Sequence, residues 1–170
     1  MDPIGFQRHD HQSCISGAVA AADARCAEAG LNLTPVRRRV LEILLERHRA
    51  LGAYDVLEVL RQEGLGAQPP VAYRALEFLT TNGFAHRIER LSAFVACAHP
   101  HEDHTPAFLI CRSCDRVAEA TADPMKGLLG EAARASGFVL ERAVVEAEGL
   151  CPACIGAGGH GGGTRGAAPA

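Results

Sequence analysis

Residues 69–97 read PPVAYRALEFLTTNGFAHRIERLSAFVAC. Two prolines suit the first turn of a helix, where the missing N–H is not needed. Val71, Ala75, Leu76 and Leu79 then recur at helical spacing, and Gly83 closes the segment, so a helix is predicted over 69–82. Residues 84–89 and 94–97 alternate well enough for two short strands, with a turn at 90–92. A helix running into a hairpin is the end of a winged helix, whose third helix can enter a DNA major groove.

The upstream sequence supplies the other helices. Residues 16–29 are rich in Ala and stop at Gly30. Thr34 is an N-cap with Pro35 behind it. Val36, Val40, Ile43, Leu44 and Leu51 then share one helical face, and Gly52 ends the run. Residues 53–63 repeat the pattern through Val56, Leu57 and Leu60, before Gly64 and Gly66. Arg37, Arg38 and Arg39 form a local basic cluster that either holds phosphates or is a plain solvated helix surface.

Past Cys97 the composition changes. A polar, His-rich loop over 99–106 leads to strands at 108–110 and 117–121. A helix is expected over 124–136, with Met125, Leu128, Leu129 and Ala132 on one face, and a strand over 138–148. This is a small α+β unit. Residues 156–170 are a Gly-rich tail expected to be disordered. The expected organisation is therefore a winged-helix unit over 1–97, a small α/β unit over 98–155 and the tail.

With 48% hydrophobic and 22% charged residues among 170, the chain is long enough for real cores and reads as soluble and globular. No apolar run reaches the roughly 18–20 residues of a membrane span, and residues 1–14 lack the pattern of a secretory signal. A cytoplasmic location is expected. Seven cysteines in a reducing compartment point to metal or redox chemistry before disulfides. Net charge is −3; residues 1–90 hold 11 basic and 11 acidic side chains, so the excess acid lies in the second half. DNA binding would have to rest on local patches and not on bulk charge.

Two CxxC pairs, Cys111/Cys114 and Cys151/Cys154, supply four thiolates for a closed tetrahedral zinc site. The 36 intervening residues exceed a usual zinc ribbon, but strand, helix and strand can bring the ends together. A redox CxxC would open a helix after a strand, whereas the first pair sits in a turn between strands. A second group gathers His86, Cys97, His99, His101, His104 and Glu119. Imidazole, thiolate and carboxylate together suit Zn²⁺ better than iron or manganese. Cys97 beside His86 or His104 imitates a nucleophile and base, yet no oxyanion-hole or substrate-loop motif accompanies them, and no enzyme is expected. Cys14 and Cys26 are read as exposed helix thiols without a role.

These segments resemble the ferric uptake regulator superfamily, most closely its zinc uptake regulator branch. The resemblance is carried by Leu33-Thr34-Pro35-Val36-Arg37, Ala53-Tyr54-Asp55-Val56-Leu57, the stretch from Pro69 to Leu76, the stretch from Phe108 to Cys114, and Gly149-Leu150-Cys151-Pro152-Ala153-Cys154. It spans roughly residues 15–155 and departs at Ala72, where Thr or Val is often found. It implies a homodimeric repressor with a winged-helix DNA-binding domain and a C-terminal dimerisation domain. It implies structural zinc at Cys111, Cys114, Cys151 and Cys154, and regulatory zinc at His86, Cys97, His104 and Glu119. His99 and His101 remain candidates for a further site. Tyr73 and Arg74 match base-contacting residues of the recognition helix. Arg74 suits guanine O6 and N7, and Tyr73 a thymine methyl or a phosphate; the alternative is a core tyrosine beside a solvated arginine. The rival within the superfamily is an iron-, manganese- or peroxide-responsive regulator, against which Cys97 speaks.

A physical mechanism follows from where these residues fall. An ion held by both His86 and Glu119 ties the hairpin to the second unit. It favours the arrangement in which two recognition helices face successive major grooves, about 34 Å apart.

Overall fold

Thr34 opens a helix as expected. Its side-chain oxygen accepts the Arg37 N–H at 3.4 Å, and Pro35 fills the first helical position. The computed structural model describes residues 11–47, 49–66, 68–100, 105–122, 127–141 and 143–156. In chain order the elements are α1 (His11–Glu28), α2 (Pro35–Glu46), β1 (Leu51–Gly52), α3 (Ala53–Gln62), α4 (Pro69–Thr81), β2 (Ala85–Ile88) and β3 (Ala93–Ala96). Then come β4 (Thr105–Cys111), β5 (Val117–Ala122), α5 (Leu128–Ala135), β6 (Val145–Gly149) and α6 (Pro152–Gly156). The architecture is α+β, as expected.

The four N-terminal helices and the first sheet share one apolar core. Val40, Ile43 and Leu44 of α2, Val56 and Leu60 of α3, and Ala72, Leu76 and Leu79 of α4 are buried in it. A fully buried Leu contributes roughly 1.5–3 kcal/mol, which is why these stripes outweigh the charged faces beside them. Ala72 has no exposed surface, so a larger side chain there would have to displace its neighbours. Gly83 ends α4 with φ +72°, a conformation that favours glycine, and turns the chain into β2.

Two expectations change here. The apolar face predicted to run on to Leu51 stops at Glu46. Leu51 instead pairs with Phe94, so β1 joins the hairpin in a sheet of order β1-β3-β2. Its burial is satisfied by a strand contact and not by a continuing helix. Cys26, expected exposed, is only 2% exposed and lies in the core beneath α1. Burial, with Asp23 adding to it, raises its thiol pKa. The side chain of Cys14 lies outside the described residues.

The second sheet has the order β5-β4-β6. β4 and β5 form an antiparallel pair, and β6 runs parallel to β4. The strand expected over 138–148 shrinks to β6, and the helix expected from 124 begins at Leu128. Leu128 and Leu129 are exposed in this chain; Gly130 and Ala133 are the buried residues of α5. A smaller core of Ile88, Phe108, Ile110 and Val117 joins the hairpin to this sheet. No helix among the described residues is long and apolar enough to cross a membrane.

Candidate metal centres and nucleic-acid interface

The parallel register explains how two distant CxxC pairs meet. Cys111 at the end of β4 lies opposite Gly149 at the end of β6, and Arg112 N–H donates to the Gly149 carbonyl at 2.9 Å. Both strands therefore release their CxxC turns at the same end of the sheet. Asp115, in the left-handed region at φ 57°, tightens the first turn and donates its N–H to the Cys111 carbonyl at 3.0 Å. α6 forms the second turn, with Cys154 N–H donating to the Cys151 carbonyl.

The four sulfurs all lie within 4.8 Å of one another, and those of Cys114 and Cys151 are 3.7 Å apart. A zinc–sulfur bond of about 2.3 Å sets tetrahedral edges of ~3.8 Å, so the donor set fits zinc. Burial opposes ionisation of Cys111, but main-chain N–H donors of Cys151, Ser113 and Cys114 outweigh it and bring the thiol down to about 6. Cys114, where burial dominates, is pushed up to about 12.

The second cluster draws on three elements. His86 is on β2, Cys97 directly follows β3, and Glu119 is on β5. Their ligand atoms also lie within 4.8 Å of one another. His86 Nε2 is 3.3 Å from Glu119 Oε1, close to the ~3.3 Å edge of a tetrahedron built with metal–nitrogen and metal–oxygen distances of about 2.0–2.1 Å. Glu119 is a buried charged residue, only 5% exposed, and its other oxygen accepts the Ala98 N–H at 2.8 Å. Burial, with Glu119 beside it, pushes the Cys97 thiol up to about 12. Three ligand types suited to Zn²⁺ thus converge from both sheets. The main chain of His99 hydrogen-bonds the Cys97 sulfur, but its imidazole is not in the cluster. His101 and His104 lie outside the described residues.

The face of α4 away from the core carries the candidate DNA contacts. Tyr73 is 48% exposed and Arg74 is exposed, which removes the reading of Tyr73 as a core residue. Tyr73 lines an open hollow of about 570 Å³ together with Tyr54, Glu77, Thr80, Arg87, Ser92 and Phe94. Tyr54 and Arg87 were not singled out in the sequence. Tyr54 lies off the Val56–Leu60 stripe, and a large aromatic on the outer face of a helix was the available signal. The arginine cluster is not an open basic patch. Arg38 pairs with Asp23 at 2.5 Å, and Arg39 with Glu42, Glu46 and Glu63 at 3.1, 2.7 and 2.7 Å. Arg37 stacks over Phe78 at 3.7 Å and donates to the Asn32 carbonyl.

Residues 28–148 match the model of the ferric uptake regulator family. The chain is 38% identical over 138 residues to the zinc uptake regulation protein of Escherichia coli (strain K12), covering 81% of both chains. The protein belongs to the ferric uptake regulator family. Among solved structures of this family, a zinc uptake regulator complexed with zinc and DNA superposes with a TM-score of 0.79 at 37% identity, covering 84% of this chain and 96% of that one. Holo XcZur superposes with a TM-score of 0.73 at 38% identity, covering 81% and 96%. The family's winged-helix and dimerisation folds account for the two sheets described above.

Proposed function

We propose that this protein is a zinc-responsive repressor that binds operator DNA as a metal-loaded homodimer and shuts off zinc-uptake genes. The convergence of His86, Cys97 and Glu119 from the hairpin and the second sheet carries the proposal. The zinc-regulating relatives support the choice of metal, and so does the cysteine in the donor set.

Each subunit holds two zinc ions in this proposal. Cys111, Cys114, Cys151 and Cys154 hold a permanent one that staples β4 to β6. His86, Cys97 and Glu119, with His104 as fourth ligand, hold an exchangeable one. With one thiolate and one carboxylate that set is neutral around Zn²⁺. Zinc supplies a crosslink between hairpin and second sheet, and the chain's residues do the rest. Glu119 already holds the Ala98 main chain, so the linker after β3 is drawn toward β5. The coupling equals the difference in zinc affinity between closed and open arrangements. Tyr73 and Arg74 read bases, with Tyr54 and Arg87 beside them in the same hollow. Arg37, already engaged with Phe78, contributes at most a phosphate contact. The reading unit is residues 1–97, the pairing unit 98–155, and the protein works in the cytoplasm, where its thiols stay reduced.

The test is DNA binding to an uptake-gene promoter under graded free Zn²⁺, Fe²⁺ and Mn²⁺, with wild type and Cys97→Ser. Zinc should promote binding by the wild type, and the substitution should abolish that response at the same free zinc. A response to Fe²⁺ or Mn²⁺ alone, or an unaltered Cys97→Ser variant, overturns the zinc assignment.

A further inference from the structure

Register places three side chains in one row across the second sheet. Phe108 lies opposite Glu119 of β5 on one side and opposite Glu146 of β6 on the other. Paired residues on neighbouring strands project from the same face, so the row reads carboxylate, phenyl, carboxylate. Glu119 meets His86 and the Ala98 main chain. Phe108 meets the His86 ring, with centroids 5.5 Å apart, and shares a buried cluster with Ile88. Glu146 meets the far end of the same hairpin: one oxygen accepts the Glu89 N–H at 2.8 Å and the other the Arg90 N–H at 3.2 Å. In the next row Glu148 forms an ion pair with Arg90. From residue 86 to residue 89 an extended chain rises roughly 10 Å, and two strand spacings also span about 10 Å. β2 therefore crosses the sheet with one end on each outer strand.

The two ends differ in chemistry. Glu119 belongs to the set that takes zinc. Glu146 caps two main-chain donors and needs no metal. Resting on the reading of His86, Cys97 and Glu119 as the zinc-sensing set, we propose that Glu146 is a positioning residue that fastens the hairpin turn to β6 without metal and thereby sets the zinc concentration at which the protein closes. With Glu146 in place, the hairpin is already seated at one end and, through its own Ile88, over Phe108, and zinc has only the β5 end to close. Without it, more of the zinc-free population has the hairpin lifted, and apparent zinc affinity falls in proportion to the closed fraction.

The full-length dimer with its tight zinc retained is tested as wild type, Glu146→Ala and Glu146→Gln. Three quantities are measured: the affinity for exchangeable Zn²⁺ by chelator competition without DNA, promoter affinity at saturating Zn²⁺, and amide exchange at Glu89 and Arg90. Glu146→Ala should weaken exchangeable zinc about 5- to 20-fold and speed exchange of both amides, with Glu146→Gln intermediate because one carbonyl oxygen remains. Promoter affinity at saturating zinc should stay within about twofold, since zinc then closes the hinge by itself. Glu146→Gln keeps the shape of the side chain and carries the test if Glu146→Ala loses its tight zinc. Unchanged zinc affinity in both variants overturns the proposal. So does a loss of promoter affinity that saturating zinc does not restore, which would make Glu146 a DNA-binding or purely folding residue. If the wild type itself fails to respond to zinc, the reading of the His86 site falls and this proposal falls with it. If the wild type responds and the variants match it, Glu146 alone loses its role.

Discussion

At the scale of single residues, Cys97 joins the two halves of the chemistry. Its thiol, held near 12 by burial and by Glu119, is protonated at neutral pH. Ligation requires the thiolate, so zinc uptake at the proposed site would release the Cys97 proton. Below that pKa, raising the pH removes the competing proton. Exchangeable-zinc Kd should therefore fall about tenfold per unit between pH 7 and 9 in the wild type, and much less steeply in Cys97→Ser. Equal slopes in chelator competition would show that Cys97 is not a ligand. The DNA face gives a second contrast. Arg74→Ala should cost about 1–3 kcal/mol of operator affinity and relax sequence preference. Arg38→Ala, which removes a side chain already paired with Asp23, should leave base preference unchanged in a binding titration against mutated operators. The gathering of His86, Cys97 and Glu119 was legible because their side chains carry unusual chemistry. The burial of Cys26 was not, since a lone thiol on an Ala-rich helix has no pattern to mark its face.

At the scale of elements, the CxxC pairs act through strand register. β4 and β6 run side by side because the β5-α5 crossover returns the chain in parallel; β4 ends at Cys111, and β6 ends opposite it at Gly149, two residues before Cys151. A unit with so small a core would depend on the proposed zinc staple. Cys151→Ser should release the tight zinc and expose the β4 and β6 amides to exchange, while α2, α3 and α4, with their own core, remain protected. Amide exchange resolved by residue checks this; uniform loss of protection would mean that the helices also depend on the staple. The helices and hairpin were readable from periodicity and from proline and glycine punctuation. β1 was not, because two residues show no period and Leu51 happens to continue the apolar spacing of α2. β6 was overestimated because the alternation of 138–148 extends well beyond the five residues that pair with β4.

At the scale of the whole molecule, charge and surface argue for control by geometry. The chain carries a net −3. Two zinc ions would bring four positive charges against the five thiolates that hold them, so metal loading cannot make the protein basic. What loading can change is the spacing of two reading heads, and that requires a pair of subunits. The second half supplies a suitable surface. Leu128 is 84% exposed, Phe138 64% and Val139 78%, with Leu129 and Ile155 also exposed. Exposed apolar side chains of this size lose water contact when a second subunit covers them. Leu129→Asp combined with Phe138→Asp should leave each subunit folded and able to hold both zinc ions, because neither position belongs to a metal cluster or a buried core. It should shift the protein from dimer to monomer in sedimentation. Operator affinity at saturating zinc should then fall at least about 100-fold, since each head binds one half-site without a tethered partner. A variant that sediments as a monomer yet binds the full operator as tightly as the wild type would show that head spacing is not what zinc controls.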